Sequence, residues 1–170
     1  MAVFAGLGWL VLSETALRPR QEVLYHLSRA LSQCVPASGK EHCVAEYRLA
    51  VANSGLARQD LVEVRWPAEF AAWQVGWSTS DLVGSTRARA EPEVRARKDG
   101  ALAYEVRNLD PNTLLELTLR CEDCTRAQLE AARHADVQVL ASGKVLEREP
   151  RTTMLGRAAA NAGRLLGVFF

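Results

Sequence analysis

The sequence predicts a mainly β fold, built as an antiparallel β-sandwich, and three observations carry that prediction. Between residues 44 and 149, short runs alternate apolar and polar side chains with the period of two that a half-buried strand requires. Clusters of Asn, Gly, Pro, Asp and Ser interrupt these runs at intervals of about ten residues, as sandwich strands demand. Lys98-Asp99-Gly100 separates two of the runs in the manner of a hairpin turn. The chain has 170 residues, 48% of them apolar and 24% charged, so one domain with a real core is expected and wholesale disorder is not. Its 21 Lys and Arg balance 20 Asp and Glu. The strongly basic face of a nucleic-acid binder is therefore not expected.

Taken in order, residues 1–12 are an apolar stretch, too short alone for a membrane span of about 20 residues but suited to membrane association. Residues 13–33 carry Leu17, Leu24, Leu27 and Leu31 at spacings of seven, three and four, which predicts an amphipathic helix. The β domain follows over residues 44–149. Tyr47, Leu49 and Val51 alternate with Glu46, Arg48 and Ala50 until Asn53-Ser54-Gly55 makes a turn. Val62, Val64 and Trp66 form a second run, and Trp73, Val75 and Trp77 a third that ends at the polar Ser78-Thr79-Ser80-Asp81. Residues 94–97 and 101–107 form the hairpin, and Leu115, Leu117, Leu119 and Cys121 mark the next strand. Thr125 and Gln128 resemble a capping box that opens a short helix through about Arg133. Residues 137–141 and 145–148 are then expected to pair across Ser142-Gly143, for about seven or eight strands in all.

Residues 155–170 turn apolar again and end in Val168-Phe169-Phe170. Ala159, Gly163 and Gly167 stand four apart, which on a helix makes a small-residue stripe able to bring two membrane helices together. Self-association through this C-terminal helix is one expectation. Arg164 within the stretch opposes deep burial, and small residues at this spacing also occur in soluble helices.

Tyr47-x-Leu49-x-Val51-x-Asn53-Ser54-Gly55, with Leu109-Asp110-Pro111 and Leu115-x-Leu117-x-Leu119, resembles the strand and turn pattern of bacterial immunoglobulin-like surface modules. The resemblance covers about half the chain and lacks the Cys-Trp-Cys spacing of antibody domains. It implies an immunoglobulin-like sandwich that works in adhesion or assembly, and it implies no catalytic residue.

Four cysteines stand as Cys34-x8-Cys43 and Cys121-x2-Cys124. Two local disulfides are favoured, as in a small extracytoplasmic domain. Free thiols, a four-cysteine zinc site or a redox dithiol at Cys121 and Cys124 compete with that pairing. A gap of eight is wide for a zinc knuckle, and the second pair ends an antiparallel strand rather than opening a helix beside a parallel sheet. Arg18, Arg20, Arg151 and Arg157 at the inner borders of the apolar ends point instead to the cytoplasm. Glu14 and Glu149 at the same borders weaken that signal, so an extracytoplasmic, periplasmic domain is expected.

Few groups suggest chemistry. His26, His42 and His134 show no metal-ligand spacing, Glu91 and Glu93 flank Pro92 without a buried setting, and Ser38-Gly39-Lys40 lacks the first glycine of a phosphate loop. No catalytic residue, metal ligand or cofactor is expected. Trp66, Trp73 and Trp77 form a possible ligand surface, although their place on apolar faces makes core positions simpler. The sequence thus points to a non-enzymatic, membrane-tethered interaction or assembly module whose partners are the membrane and other envelope proteins. The alternative is an accessory or sensor domain of a membrane enzyme or transporter that binds a ligand, glycan or metal.

Overall fold

Period-two alternation becomes two packed sheets in the computed structural model, which describes residues 20–37, 40–82, 92–96 and 102–155. In chain order the strands are β1 (Glu22–Ala37), β2 (Lys40–Asn53), β3 (Gln59–Arg65), β4 (Gln74–Asp81), β5 (Glu93–Ala96), β6 (Ala103–Leu109), β7 (Thr113–Cys124), β8 (Gln138–Ala141) and β9 (Lys144–Glu147). A 3₁₀ turn, Ala68–Phe70, precedes β4, and helix α1 (Arg126–Arg133) follows β7. The first sheet runs β4-β7-β2-β1-β9 and the second β5-β6-β3-β8. All neighbours are antiparallel except β1 and β9, which run parallel.

The alternation dictates the packing. Tyr47, Leu49 and Val51 of β2 pair with Leu119, Leu117 and Leu115 of β7, and all six turn inward to one core with Val62, Val64, Val106 and Val139 of the second sheet. The outward faces carry Arg–Glu pairs two residues apart, such as Arg48 with Glu46, Arg65 with Glu63 and Arg107 with Glu105. Such exposed pairs add little stability each but keep these faces wet. One outward row is different: Leu24, Ala52 and Leu114 stand in register across β1, β2 and β7 and are buried on the face opposite the main core.

Three expectations are corrected. Residues 22–33 belong to β1, not to an amphipathic helix; residues 13–19 lie outside the described residues. The leucine spacing coincides with a strand pattern, in which Val23, Tyr25 and Leu27 share the inward face, and pairing with β2 and β9 overrides the local helical signal. β8 and β9 do not pair with each other: β8 joins β3 in the second sheet and β9 joins β1 in the first, so Ser142-Gly143 carries the chain between sheets. β4 also runs on through Ser78-Thr79-Ser80 to Asp81 instead of ending before them. The hairpin of β5 with β6 and the Thr125–Gln128 capping box are present as expected. The apolar segment 1–12, and Ala159, Gly163 and Gly167 in segment 155–170, lie outside the described residues, and no described helix is long and apolar enough to cross a membrane. Residues 150–155 form a helical turn capped by the Glu149 carboxylate, which accepts from the N–H groups of Arg151 (3.1 Å) and Thr152. Burial alone would raise the Glu149 pKa, yet these hydrogen bonds outweigh it and hold the group below its ordinary value.

The crossover from β2 to β3 joins the two sheets through a buried polar knot. Asn53 Nδ2 donates to the carbonyl oxygens of Ala57 (2.9 Å) and Leu109 (2.8 Å), while its Oδ1 accepts from the Gly55 N–H (3.0 Å). Its own carbonyl accepts from the Asn112 N–H (2.8 Å). Ser54 Oγ donates to Glu22 Oε1 (2.7 Å), and the Ser54 and Gly55 N–H groups both reach the Glu22 carbonyl. A Cβ at position 55 would lie 2.8 Å from the Glu22 nitrogen, so only glycine fits this approach. Replacing Asn53 by Ala removes the side-chain donor to the Leu109 and Ala57 carbonyls and leaves the Gly55 N–H with the Glu22 carbonyl alone. At about 1–3 kcal/mol for a buried polar group left unpaired, Asn53→Ala is expected to cost about 3 kcal/mol in urea unfolding.

Candidate functional site

Two features of the first sheet stand out as places where this molecule can meet its surroundings: its free edge and its cysteine end. β4 forms the edge. It pairs with β7 over eight unbroken positions, Gln74 to Arg120 through Asp81 to Thr113, and no described strand pairs with its other side. Nearly every β4 side chain is exposed, and Gly76 has open space where a side chain would project. Up to Ser80 the strand contains no Lys, no Pro and no bulge, the usual devices that blunt an edge. The other described edges differ. β5, β8 and β9 have four residues each, and β5 carries the ion pair between Arg95 and Glu93.

The tryptophans divide around this edge. Trp66 and Trp73 are 5% and 6% exposed and close an aromatic cluster with Tyr47 and Phe70. Phe70 sits at 5.0 Å from Trp73 and 5.5 Å from Trp66 and Tyr47, each edge to face, the geometry ring quadrupoles favour. Trp77 on β4 is 55% exposed. The expectation that all three serve the core is therefore corrected for Trp77, and with the other two sealed the three rings do not share a ligand surface. Alternation from Val75 misassigned Trp77, because alternation gives a side chain its face but not whether the second sheet extends far enough to cover it.

The cysteines form a row. Cys34 of β1 stands directly opposite Cys43 of β2, with 4.0 Å between Cα atoms, and the two are disulfide-bonded. Cys43 in turn stands opposite Cys124 of β7, and Cys124 is bonded to Cys121 across 5.9 Å between Cα atoms. All four pack on the same core, Cys43 and Cys124 buried in the middle and Cys34 and Cys121 partly buried at the ends. The first bond is thus a cross-strand bridge within the β1–β2 pair, and the second staples a strand end. The register shift between Cys43 and Ala45 lets β7 carry two cysteines three apart toward one face. His42 is turned to Asp123, Nδ1 to Oδ1 at 2.7 Å, on the exposed surface. Among the described residues, no group of three or more His, Cys, Asp or Glu is placed to hold a metal ion.

No model of a known protein family matches the chain, and no curated protein matches its sequence.

Trp77→Ser is expected to change stability by less than about 0.5 kcal/mol, whereas Trp73→Ser costs about 3–5 kcal/mol, measured side by side by thermal unfolding. The cysteine row gives a sharper test. In a Cys34→Ser, Cys121→Ser double variant, Cys43 and Cys124 are left opposite each other, and they are expected to bridge. The intact mass after alkylation without reductant then shows no added alkyl group.

Proposed function

We propose that this chain is a non-enzymatic interaction or assembly module, tethered to a membrane of the cell envelope, with its β domain on the extracytoplasmic side. The β4 edge carries this proposal. Along Gln74–Ser80 every other residue turns its main-chain donor and acceptor away from β7, where no described strand meets them, and such an edge beside an exposed tryptophan suits completion by a strand from a partner. Main-chain pairing supplies affinity in that arrangement, and a pocket for a ring such as Trp77 supplies selectivity. Two disulfides favour an oxidising compartment, since cytosolic thiols are kept reduced. The apolar sequence at both ends supports the tether, with the C-terminal stripe of Ala159, Gly163 and Gly167 as a route to self-association. A two-sheet sandwich also suits the resemblance to immunoglobulin-like surface modules. The partners are then the membrane and other envelope proteins.

A photoreactive phenylalanine analogue placed at Trp77 of the full chain, in membranes of its own cells, tests the proposal. A discrete crosslinked adduct is expected from position 77 and none from Leu140, which is exposed on the short β8 edge. The chain is expected to stay with the membranes after a carbonate wash. Equal crosslinking at both positions, or release of the chain into the wash, overturns the proposal.

A further inference from the structure

A cleft of about 470 Å³ opens between the β1–β2 pair and α1, lined by Leu27, Arg29, Tyr47, Ala132 and Arg133. Arg29 stands directly opposite Tyr47, so both side chains leave the sheet on the side that forms the core elsewhere. Arg29 is nevertheless exposed, so the cleft leaves its guanidinium reachable from solvent. Two residues earlier the same row holds an ordinary apolar pair, Leu27 with Leu49. Directly beyond Arg29 the register of β1 shifts, a bulge of the kind that re-aims a neighbouring side chain.

Three polar groups share this cleft with capacity to spare. Arg29 makes no hydrogen bond or ion pair with any described residue. Tyr47 is 5% exposed, and its hydroxyl takes no hydrogen bond from a described residue, although its ring packs edge-on against Phe70 and Trp73. Arg133 holds Glu130 through Nη1 at 2.8 Å and keeps further donors of its guanidinium for a second acceptor. Leu27, partly buried, supplies the apolar wall, with the buried Ala132 behind it.

We propose that this cleft binds a small amphiphilic oxyanion, a carboxylate or phosphate monoester. Its head is held by Arg29, Arg133 and the Tyr47 hydroxyl, and its apolar part lies against Leu27. Two guanidinium groups select for negative charge and suit the forked geometry of such heads. The volume falls within the range of about 300–1,000 Å³ typical of organic ligands, larger than a bare ion needs. Tyr47 has its ring engaged by Phe70 and Trp73, so a flat base or sugar finds no free stacking platform there. The site lies apart from the β4 edge and does not depend on the role given to that edge.

Calorimetric titration of the full chain with decanoate and with octyl phosphate tests the proposal, with decanol and inorganic phosphate as controls. Each titration is repeated on Arg29→Met, so that partition common to both proteins subtracts out. One equivalent of decanoate or octyl phosphate is expected to bind, decanol and inorganic phosphate at least about tenfold more weakly, since charge and apolar contact are both required. Arg29→Met is expected to weaken the amphiphilic anions about tenfold or more, Arg133→Met similarly, and Tyr47→Phe several-fold, with decanol unaffected. Arg29 is exposed and without a described partner, so its replacement leaves the fold intact; circular dichroism checks this, and Arg133→Met serves as the second variant. Failure of both amphiphiles to bind, equal binding of decanol or inorganic phosphate, or undiminished binding in both arginine variants overturns the proposal.

Discussion

The polar knot at Asn53 is the constraint on which the rest of the sandwich depends. Two sheets held only by apolar contact can slide, because burial is proportional to area and nearly indifferent to direction. A buried amide is not indifferent. Asn53 finds its partners only when the β2–β3 crossover, the end of β6 at Leu109 and the turn at Asn112 all lie in one arrangement. Any slip would leave donors and acceptors stranded in the core. The same knot fixes the start of β1 through Glu22 and Ser54, and Gly143 extends it to β9. Gly143 has a φ of 90° and lies so near Gln21 that a Cβ would meet it at 2.6 Å. Positive φ and close approach both demand glycine at that position.

From the knot, register runs outward along the first sheet to a second fastening of a different kind. β1, β2 and β7 begin or end at the knot and reach the cysteine row at their far ends, Cys34, Cys43 and Cys124. One end is held by hydrogen bonds with directional demands, the other by covalent bonds. Between the two fastenings the inner face is covered partly by the second sheet and partly by α1, which packs against β2 and the 3₁₀ turn. The cleft at Arg29 and Tyr47 lies where β1 and β2 meet α1. An inward cation is tolerated there because the open cleft keeps it near water, whereas Val23 and Val51 nearer the knot are sealed.

Much of this was legible in the sequence, and the failures share a cause. β2, β3, β7 and the β5–β6 hairpin could be read because their alternation agrees with their pairing, and α1 because Thr125 and Gln128 satisfy each other's backbone locally. β1 was obscured because leucines at 24, 27 and 31 satisfy a helical spacing while Val23, Tyr25 and Leu27 satisfy a strand; partners decide, and they are distant in sequence. The pairing of β8 with β3 and of β9 with β1 was hidden for the same reason. The tetrapeptide Ala141-Ser142-Gly143-Lys144 encodes a turn, but not whether the chain returns along the strand it left. Arg29 as a cleft residue left one trace, a charge in line with Val23, Tyr25 and Leu27, and the helical assignment of that segment concealed it.

The unequal edges of the two sheets follow from this arrangement. β5, β8 and β9 are short, whereas β4 is extended by β7, whose length is set by the span from the knot to the cysteine row. A strand paired to such a partner over eight positions turns the main-chain groups of its alternate residues to the other side. Selection against aggregation normally shortens such an edge or marks it with charge. A long edge of this kind, with Ser78, Thr79 and Ser80 beside an exposed Trp77, suits the partner strand proposed for it. The hydroxyl-bearing residues keep the free surface soluble, and the single ring offers an anchor without creating a broad apolar patch.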